Sequence, residues 1–152
     1  QNHSMDLGFV GDVLTVQTEP ILEALESGAM PILSSTGSDA NGQCYNVNAD
    51  TVAAKVAIAL NARRLVYLSD VPGLLEDPSD PNSLLSSLPV SQVEPLKDRG
   101  VIAQGMLPKV NSAVEALNNG VNRVHFIDGR LAHSILLEIF TDEGIGTEII
   151  HS

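Results

Sequence analysis

The chain has 152 residues, 19 acidic against 8 basic side chains, a formal net charge of −11, and 43% hydrophobic but only 3% aromatic residues. These values suit one globular domain with a core of its own rather than a disordered chain. They exclude a basic stripe that neutralises nucleic-acid phosphates and an aromatic platform that stacks bases, and they argue against docking on an anionic membrane.

In chain order, Gln1-Asn2-His3-Ser4-Met5 reads as a vector remnant before an internal start, which leaves 6–152 as the domain. No secretory signal peptide is visible. Residues 10–16, "VGDVLTV", are apolar and β-branched and predict a strand or hairpin arm. Thr18 is placed to cap the next helix and Pro20 suits its first turn. Ile21, Leu22 and Leu25 would form that helix's apolar face, and Gly28 would end it. "PILSS", 31–35, predicts a short strand. Asp39 to Gly42, "DANG", predicts a hairpin tip. Cys44 is the one cysteine. No internal disulfide can form, which fits a reducing, cytoplasmic setting. With no His near it in sequence, it reads as a packed or loop thiol rather than a nucleophile.

From Asp50 the pattern turns helical: Val52, Ala53, Val56, Ala57 and Leu60 share one face. "LVYLSD", 65–70, opens with a continuous apolar run, as a strand covered on both faces would. The Pro/Ser-rich stretch 76–89 reads as a surface connection able to cover a ligand. "VSQVEPLKDRG" predicts a helix ended by Gly100, and "KVNSAVEALNNG", 109–120, a second amphipathic helix. "VNRVHFID" at 121–128 is a strand, "AHSILLEIF" at 132–140 a helix, and "TEII" at 147–150 a last strand. No apolar run approaches the ~18 residues of a membrane span. Strands alternating with helices from residue 31 onward predict an α/β layered fold with a largely parallel sheet.

Three stretches carry candidate chemistry. In parallel sheets ligands gather beyond the carboxyl ends of strands. Ser69, Asp70 and Gly73 in "LSDVPGLL" fall there, and Gly73 would let backbone approach a ligand, although taken alone a polar strand end followed by a Pro-Gly turn is the plainer reading. In "GVIAQGMLPKV", Pro108 fits only a first helical turn, so Lys109 lies near a helix N-terminus. There it opposes the helix dipole unless an anion sits at the same end; with lysine scarce in the chain and Gly105 close by, that reading stands level with a plain exposed lysine. In "YNVNADTVA", Asn46, Asn48 and Asp50 would share one face of an extended segment, while capping and turn chemistry accounts for one or two of them.

"NVNADTVAAKVAIAL", "LVYLSDVPGLL", "GVIAQGMLPKV" and "DGRLAHSILLEIFTDEGIGTEI" occur in that order between about Leu7 and Ile150. Together they resemble the C-terminal half of the N-acetylglutamate kinases, within the amino acid kinase superfamily. The resemblance implies a three-layer α/β/α sandwich and phosphorylation of the side-chain carboxylate of N-acetyl-L-glutamate by ATP with Mg²⁺, in arginine biosynthesis, with no protein-held metal cluster. It places Asn46 on the acetylglutamate, Asp50 as organiser of the catalytic lysines, and Lys109 on the transferring phosphoryl group. The segments Asp70, Val71, Pro72, Gly73, Leu74, Leu75 and Val101, Ile102, Ala103 would line the nucleotide. The tail resembles the arginine feedback site of inhibited members, which singles out His133, Glu143 and Gly144; ordinary turn and helix-start chemistry is the alternative for these three. Full-length members are expected to be homo-oligomers.

The usual N-terminal half, with a Gly-rich loop bearing a second lysine and an arginine that grips the substrate, has no counterpart in these residues. The expectation is a nucleotide-binding half with little or no turnover alone. The rival readings are the kinase-like domain of an N-acetylglutamate synthase and a non-catalytic module that binds nucleotide or arginine. A dehydrogenase is disfavoured because no G-x-G-x-x-G follows a strand.

Overall fold

The computed structural model describes residues 8–77, 79–102, 104–141 and 144–151. Ala103 and Glu143 of the candidate site, and the proposed remnant 1–5, lie outside them.

Helix α1, Glu19–Glu26, starts where Pro20 allows it, but the Thr18 side chain makes no cap hydrogen bond. Of its predicted face only Ile21 is buried, whereas Leu22 and Leu25 stay exposed. The predicted strand at 10–16 reduces to a single bridge between Val10 and Asn46, because the following residues have no strand to pair with. The strand expected at 31–35 instead appears as β1, Thr36–Ser38. It pairs antiparallel with β2, Cys44–Asn46. The hairpin tip falls at 39–42 as predicted, since Asp39 Oδ1 accepts the N–H groups of Asn41 and Gln43 at 2.9 and 3.0 Å. Cys44 is neither packed nor in a loop but exposed on β2.

The main sheet has the order β3-β5-β6-β4, from β3, Arg64–Ser69, β4, Ser87–Pro89, β5, Arg123–Asp128, and β6, Thr147–Ile150. The outer pairs, β3 with β5 and β4 with β6, are parallel, and the central β5–β6 pair is antiparallel. The parallel character is therefore real but broken in the middle. This arrangement puts the carboxyl ends of β3 and β5 and the amino end of β6 at the same edge of the sheet, where Phe126 faces Thr147. Strand β4 lies inside the stretch taken for a loop. Its Pro89 is tolerated because β4 ends the sheet order.

Helices α2, Ala49–Ala59, and α4, Leu107–Asn118, pack together over one face of the sheet. Their seam is small: Ala54, Ala113 and Ala116 are fully buried. Val124 and Phe126 of β5 and Tyr67 of β3 close the core from below, and the Tyr67 and Phe126 rings stack at 5.3 Å. Of the predicted face of α2, Ala57 is buried and Ala53 packs against the core, while Val52, Val56 and Leu60 are half-buried and the stripe is completed by Ala54. Apolar residues nearly surround this helix, so its periodicity did not single out one face. Helix α3, Val93–Asp98, joins this layer, where Lys97 donates to Asn111 of α4 at 2.7 Å. Alternation along β5 sends His125 to the other face, where it meets Glu138 of α5, Ser134–Phe140. Helices thus cover both faces, which makes the three-layer α/β/α arrangement. Leu68 of β3 remains half-exposed, so the covering of that strand on both faces is incomplete.

Candidate functional site

The site is built where α2 and α4 begin. Asn48 ends the extended segment and accepts the N–H groups of Asp50 and Thr51 at 2.9 and 3.1 Å, capping α2. The alternation Asn46–Asn48–Asp50 therefore breaks: Asn48 is turn chemistry, Asp50 is already helical, and Asn46 stands exposed on β2. Asp50 leaves the helix start and meets Lys109, in the first turn of α4. Lys109 Nζ donates to Asp50 Oδ1 at 2.8 Å and Oδ2 at 3.0 Å. The two side chains are only 18% and 25% exposed. One carboxylate and one ammonium are thereby fixed between two helix N-termini whose free N–H groups carry partial positive charge.

A third member was missed from sequence. The Tyr67 hydroxyl donates to the Asp50 backbone carbonyl at 3.0 Å, and Lys109 Nζ lies 6.0 Å from the Tyr67 ring centre. Burial, then the nearby Asp50 charge, pushes the Tyr67 phenol well above its ordinary range. A tyrosine inside an apolar strand run looks like core until α2 is laid over it. Next to this cluster a cleft of about 510 Å³ is lined by Asp12, Asn48, Thr51, Asn111, Ser112 and Glu115 among others. Glu115 is tied to α2 by Lys55 at 2.5 Å.

The segment 70–75 follows β3 at the same sheet edge. Asp70 is exposed with the Ser69 hydroxyl 3.4 Å from its Oδ1, Val71, Pro72 and Leu75 are half-buried, and Gly73 and Leu74 are buried. A Cβ on Gly73 would meet Thr147 Oγ1 at 2.6 Å and Leu84 at 2.9 Å. The close approach it permits is thus to the protein's own β6. Val101 is half-buried and Ile102 buried in the core cluster beside α3. The connection after Leu75 is closed rather than loose: Glu76 N–H donates to the Ser83 carbonyl at 2.8 Å, and Leu75 bridges Leu84.

The same edge holds a second pair that sequence reading passed over, although "DGR" was in view. Arg130 Nε and an Nη donate to the two oxygens of Asp128, at 2.9 and 2.8 Å. Those bonds, with the Arg130 N–H, hold the Asp128 carboxyl down at about 2. The Gly129 N–H donates to the Ser69 carbonyl at 2.8 Å, which ties the turn carrying Asp128 and Arg130 to the strand end singled out above.

In the tail, His133 starts α5 in the left-handed region at φ 60°, exposed and with no side-chain cap bond. Gly144 approaches Glu138 so closely that a Cβ would sit 2.8 Å from Oε2. Glu138 is the organiser here, and its position inside an apolar helix gave no hint of it. Its Oε2 accepts Ile145 and Gly146 N–H at 2.7 and 3.0 Å, and its Oε1 lies 2.7 Å from His125 Nδ1. Burial alone would raise its carboxyl, but the Ile145 N–H, His125 and the Gly146 N–H outweigh that and bring it below the ordinary value. A carboxylate can only accept, so His125 Nδ1 carries the proton. His125 Nε2 is buried with no partner among the described residues.

The three-layer α/β/α unit therefore places a lysine–aspartate pair between two helix N-termini, at the edge where parallel strands end. The amino acid kinase family model matches residues 1–128, and the chain belongs to that family. The chain is 52% identical over 145 residues to an acetylglutamate kinase of Syntrophomonas wolfei, covering 95% of this chain and 50% of the relative. It is 50% identical over 143 residues to an acetylglutamate kinase of Carboxydothermus hydrogenoformans, covering 94% and 49%. The chain thus spans about half the length of the curated relatives it matches. Among solved structures, an N-acetylglutamate synthase of Neisseria gonorrhoeae complexed with coenzyme A and N-acetyl-glutamate matches with a TM-score of 0.86 and 30% identity, over 95% of this chain and 33% of that one. A Giardia lamblia carbamate kinase bound to AMP-PNP shares the fold, at a TM-score of 0.70 and 19% identity over 94% and 47%.

Proposed function

We propose that this chain is the nucleotide-binding half of an acetylglutamate kinase, which transfers the γ-phosphoryl group of ATP to the side-chain carboxylate of N-acetyl-L-glutamate. The observation that carries the reading is the Lys109–Asp50 pair at the joint start of α2 and α4. Phosphoryl transfer asks for in-line positioning and for stabilised negative charge on the moving group. Lys109 supplies a cation where helix N–H groups already favour an anion. Asp50 holds that cation in one place; it acts as organiser rather than base, because an attacking carboxylate has no proton to lose. Of the segments 70–75 and 101–103, the exposed Asp70 and the half-buried Val71, Pro72, Leu75 and Val101 line the nucleotide, and Asn46 faces the acetylglutamate. About 50% identity to curated acetylglutamate kinases favours this branch of the family.

Mg²⁺ enters with the triphosphate. No group of three or more His, Cys, Asp or Glu able to hold a metal occurs among the described residues. In this proposal the ion is held mainly by phosphate oxygens and water, with the exposed Asp70 as the carboxylate of the nucleotide segment. No helix among the described residues is long and apolar enough to cross a membrane; a cytoplasmic location and homo-oligomeric assembly of the whole enzyme belong to the proposal.

A second reading, the kinase-like domain of an N-acetylglutamate synthase, is favoured by the Neisseria gonorrhoeae match. Another structure of that synthase is complexed with coenzyme A and L-arginine, which supports testing the tail around His133, Glu143 and Gly144 as an arginine site.

Calorimetric titration with AMP-PNP and Mg²⁺ tests the reading. Saturable binding is expected, weakened about tenfold or more in Lys109→Met, the size of a lost charge-assisted hydrogen bond. Affinity weaker than about 1 mM, only ~4 kcal/mol, would sink it. ADP release at a normal kinase rate from this chain with N-acetyl-L-glutamate would refute its being an inactive half.

A further inference from the structure

We propose that the Thr147 hydroxyl is the positioning group for the 70–75 segment, and that the Glu138 carboxylate sets it from the opposite layer. This rests on the reading of 70–75 as part of the nucleotide site.

Leu74 N–H donates to Thr147 Oγ1 at 2.8 Å, and both residues are buried. It is a side-chain acceptor on β6 that satisfies a backbone donor 73 residues earlier in the chain. Without it a buried N–H would be left unpaired, which loops avoid. Gly73 lets the two segments close: no Cβ fits between its backbone and Thr147.

Thr147 is itself set from behind. A Cβ on the preceding Gly146 would fall inside the Phe126 carbonyl, so the backbone there lies flat on β5. The Gly146 and Ile145 N–H groups both end on Glu138 Oε2, and His125 holds the other oxygen. Helix α5 buries Ser134 and Glu138 while Ile135, Leu136 and Leu137 face outward. That inverts the usual pattern, in which carboxylates are the last groups to be buried without partners. The inward carboxylate gathers three donors and fixes the turn that delivers Thr147. A displacement of the 144–146 turn therefore displaces the hydroxyl on which Leu74 rests. The tail and the 70–75 segment are mechanically one unit, although 70 residues separate Leu74 from Gly144.

The test uses the whole chain and the variants Thr147→Val, Thr147→Ser and Glu138→Gln. Valine keeps the shape and removes the acceptor; serine restores it. Amide exchange at Leu74 is read by NMR, with Phe126 as the reference for global stability, and AMP-PNP affinity is measured alongside. Relative to Phe126, Leu74 exchange is expected to rise about tenfold in Thr147→Val, stay near wild type in Thr147→Ser, and rise in Glu138→Gln. AMP-PNP affinity should fall by a similar factor in the valine variant and recover with serine. Unchanged Leu74 exchange in the valine variant overturns the proposal. So does a serine variant as impaired as valine, a Glu138→Gln effect confined to Ile145 and Gly146, or AMP-PNP affinity indifferent to the hydroxyl. If the wild-type chain binds no AMP-PNP while Leu74 exchange still follows the hydroxyl, the nucleotide reading fails and the hold of Thr147 on the segment stands.

Discussion

Replacing Asp50 by Asn should cost more stability than replacing Lys109 by Met, although both remove the same ion pair. At 2.8 Å the Coulomb attraction is on the order of 6 kcal/mol in a medium of effective dielectric 20, before hydration is subtracted. The side chains are about a quarter exposed or less. The net value then lies between the ~0.2–1 kcal/mol of surface pairs and the ~3–5 kcal/mol of breaking buried ones, so about 2 kcal/mol is expected. The helix dipoles split the two variants. Asp50→Asn also removes a favourable anion from the start of α2, adding roughly 0.3–1 kcal/mol, and leaves the unfavourable cation at the start of α4 in place. Lys109→Met removes that unfavourable cation and leaves Asp50 where the α2 dipole wants it, which returns a similar amount. Urea unfolding should show a loss of about 2–3 kcal/mol for Asp50→Asn and about 1 kcal/mol for Lys109→Met. A double-mutant cycle should give a coupling of at least about 1 kcal/mol, weakened by salt. Equal costs, or a larger one for Lys109→Met, would refute the claim that Lys109 is held at an unfavourable place by its partner.

Gly146→Ala should unfold the chain or cost about 4 kcal/mol or more by urea denaturation, because the new methyl would overlap the Phe126 carbonyl; a loss under about 1 kcal/mol would show that β5 and β6 part easily there. Acid should strip a contribution that Asp128 makes: its folded carboxyl is lowered from 3.8 to about 2. The sign follows from linkage, since a depressed carboxyl stabilises fully above its unfolded value and loses that stabilisation as pH falls from near 4 towards 2. Asp128→Asn should flatten that part of the stability–pH curve, and an unchanged slope would count against the Arg130 pair as the cause.

The elements whose periodicity ran unbroken were readable before the structure: α4 between Pro108 and Gly120, β5 in "VNRVHFID", α5 and β6. Each carries its own start or stop chemistry within a few residues. Strand β4 was not readable, because three residues in a Pro/Ser-rich stretch become a strand only when β6 arrives beside them. The same holds for residues 10–16, which have strand-like composition but find no partner beyond Val10. Lys109 and Asp50 could be nominated from helix-start chemistry alone. Tyr67, His125, Glu138 and Thr147 could not, because each looks like an ordinary member of an apolar element until its partner from another layer is placed against it.

Local sequence therefore determined where most of the core helices and strands begin and end, since caps, breakers and side-chain period act over a few residues. It also supplied the acid and the lysine. Only the tertiary structure decided that 59 positions of chain close to a 2.8 Å contact between them. It also decided that the sheet reverses direction at β5–β6 and that a buried glutamate in one layer sets a loop beyond the far end of another strand. Those outcomes depend on which surfaces meet, and burying one set of apolar faces fixes all the polar meetings at once.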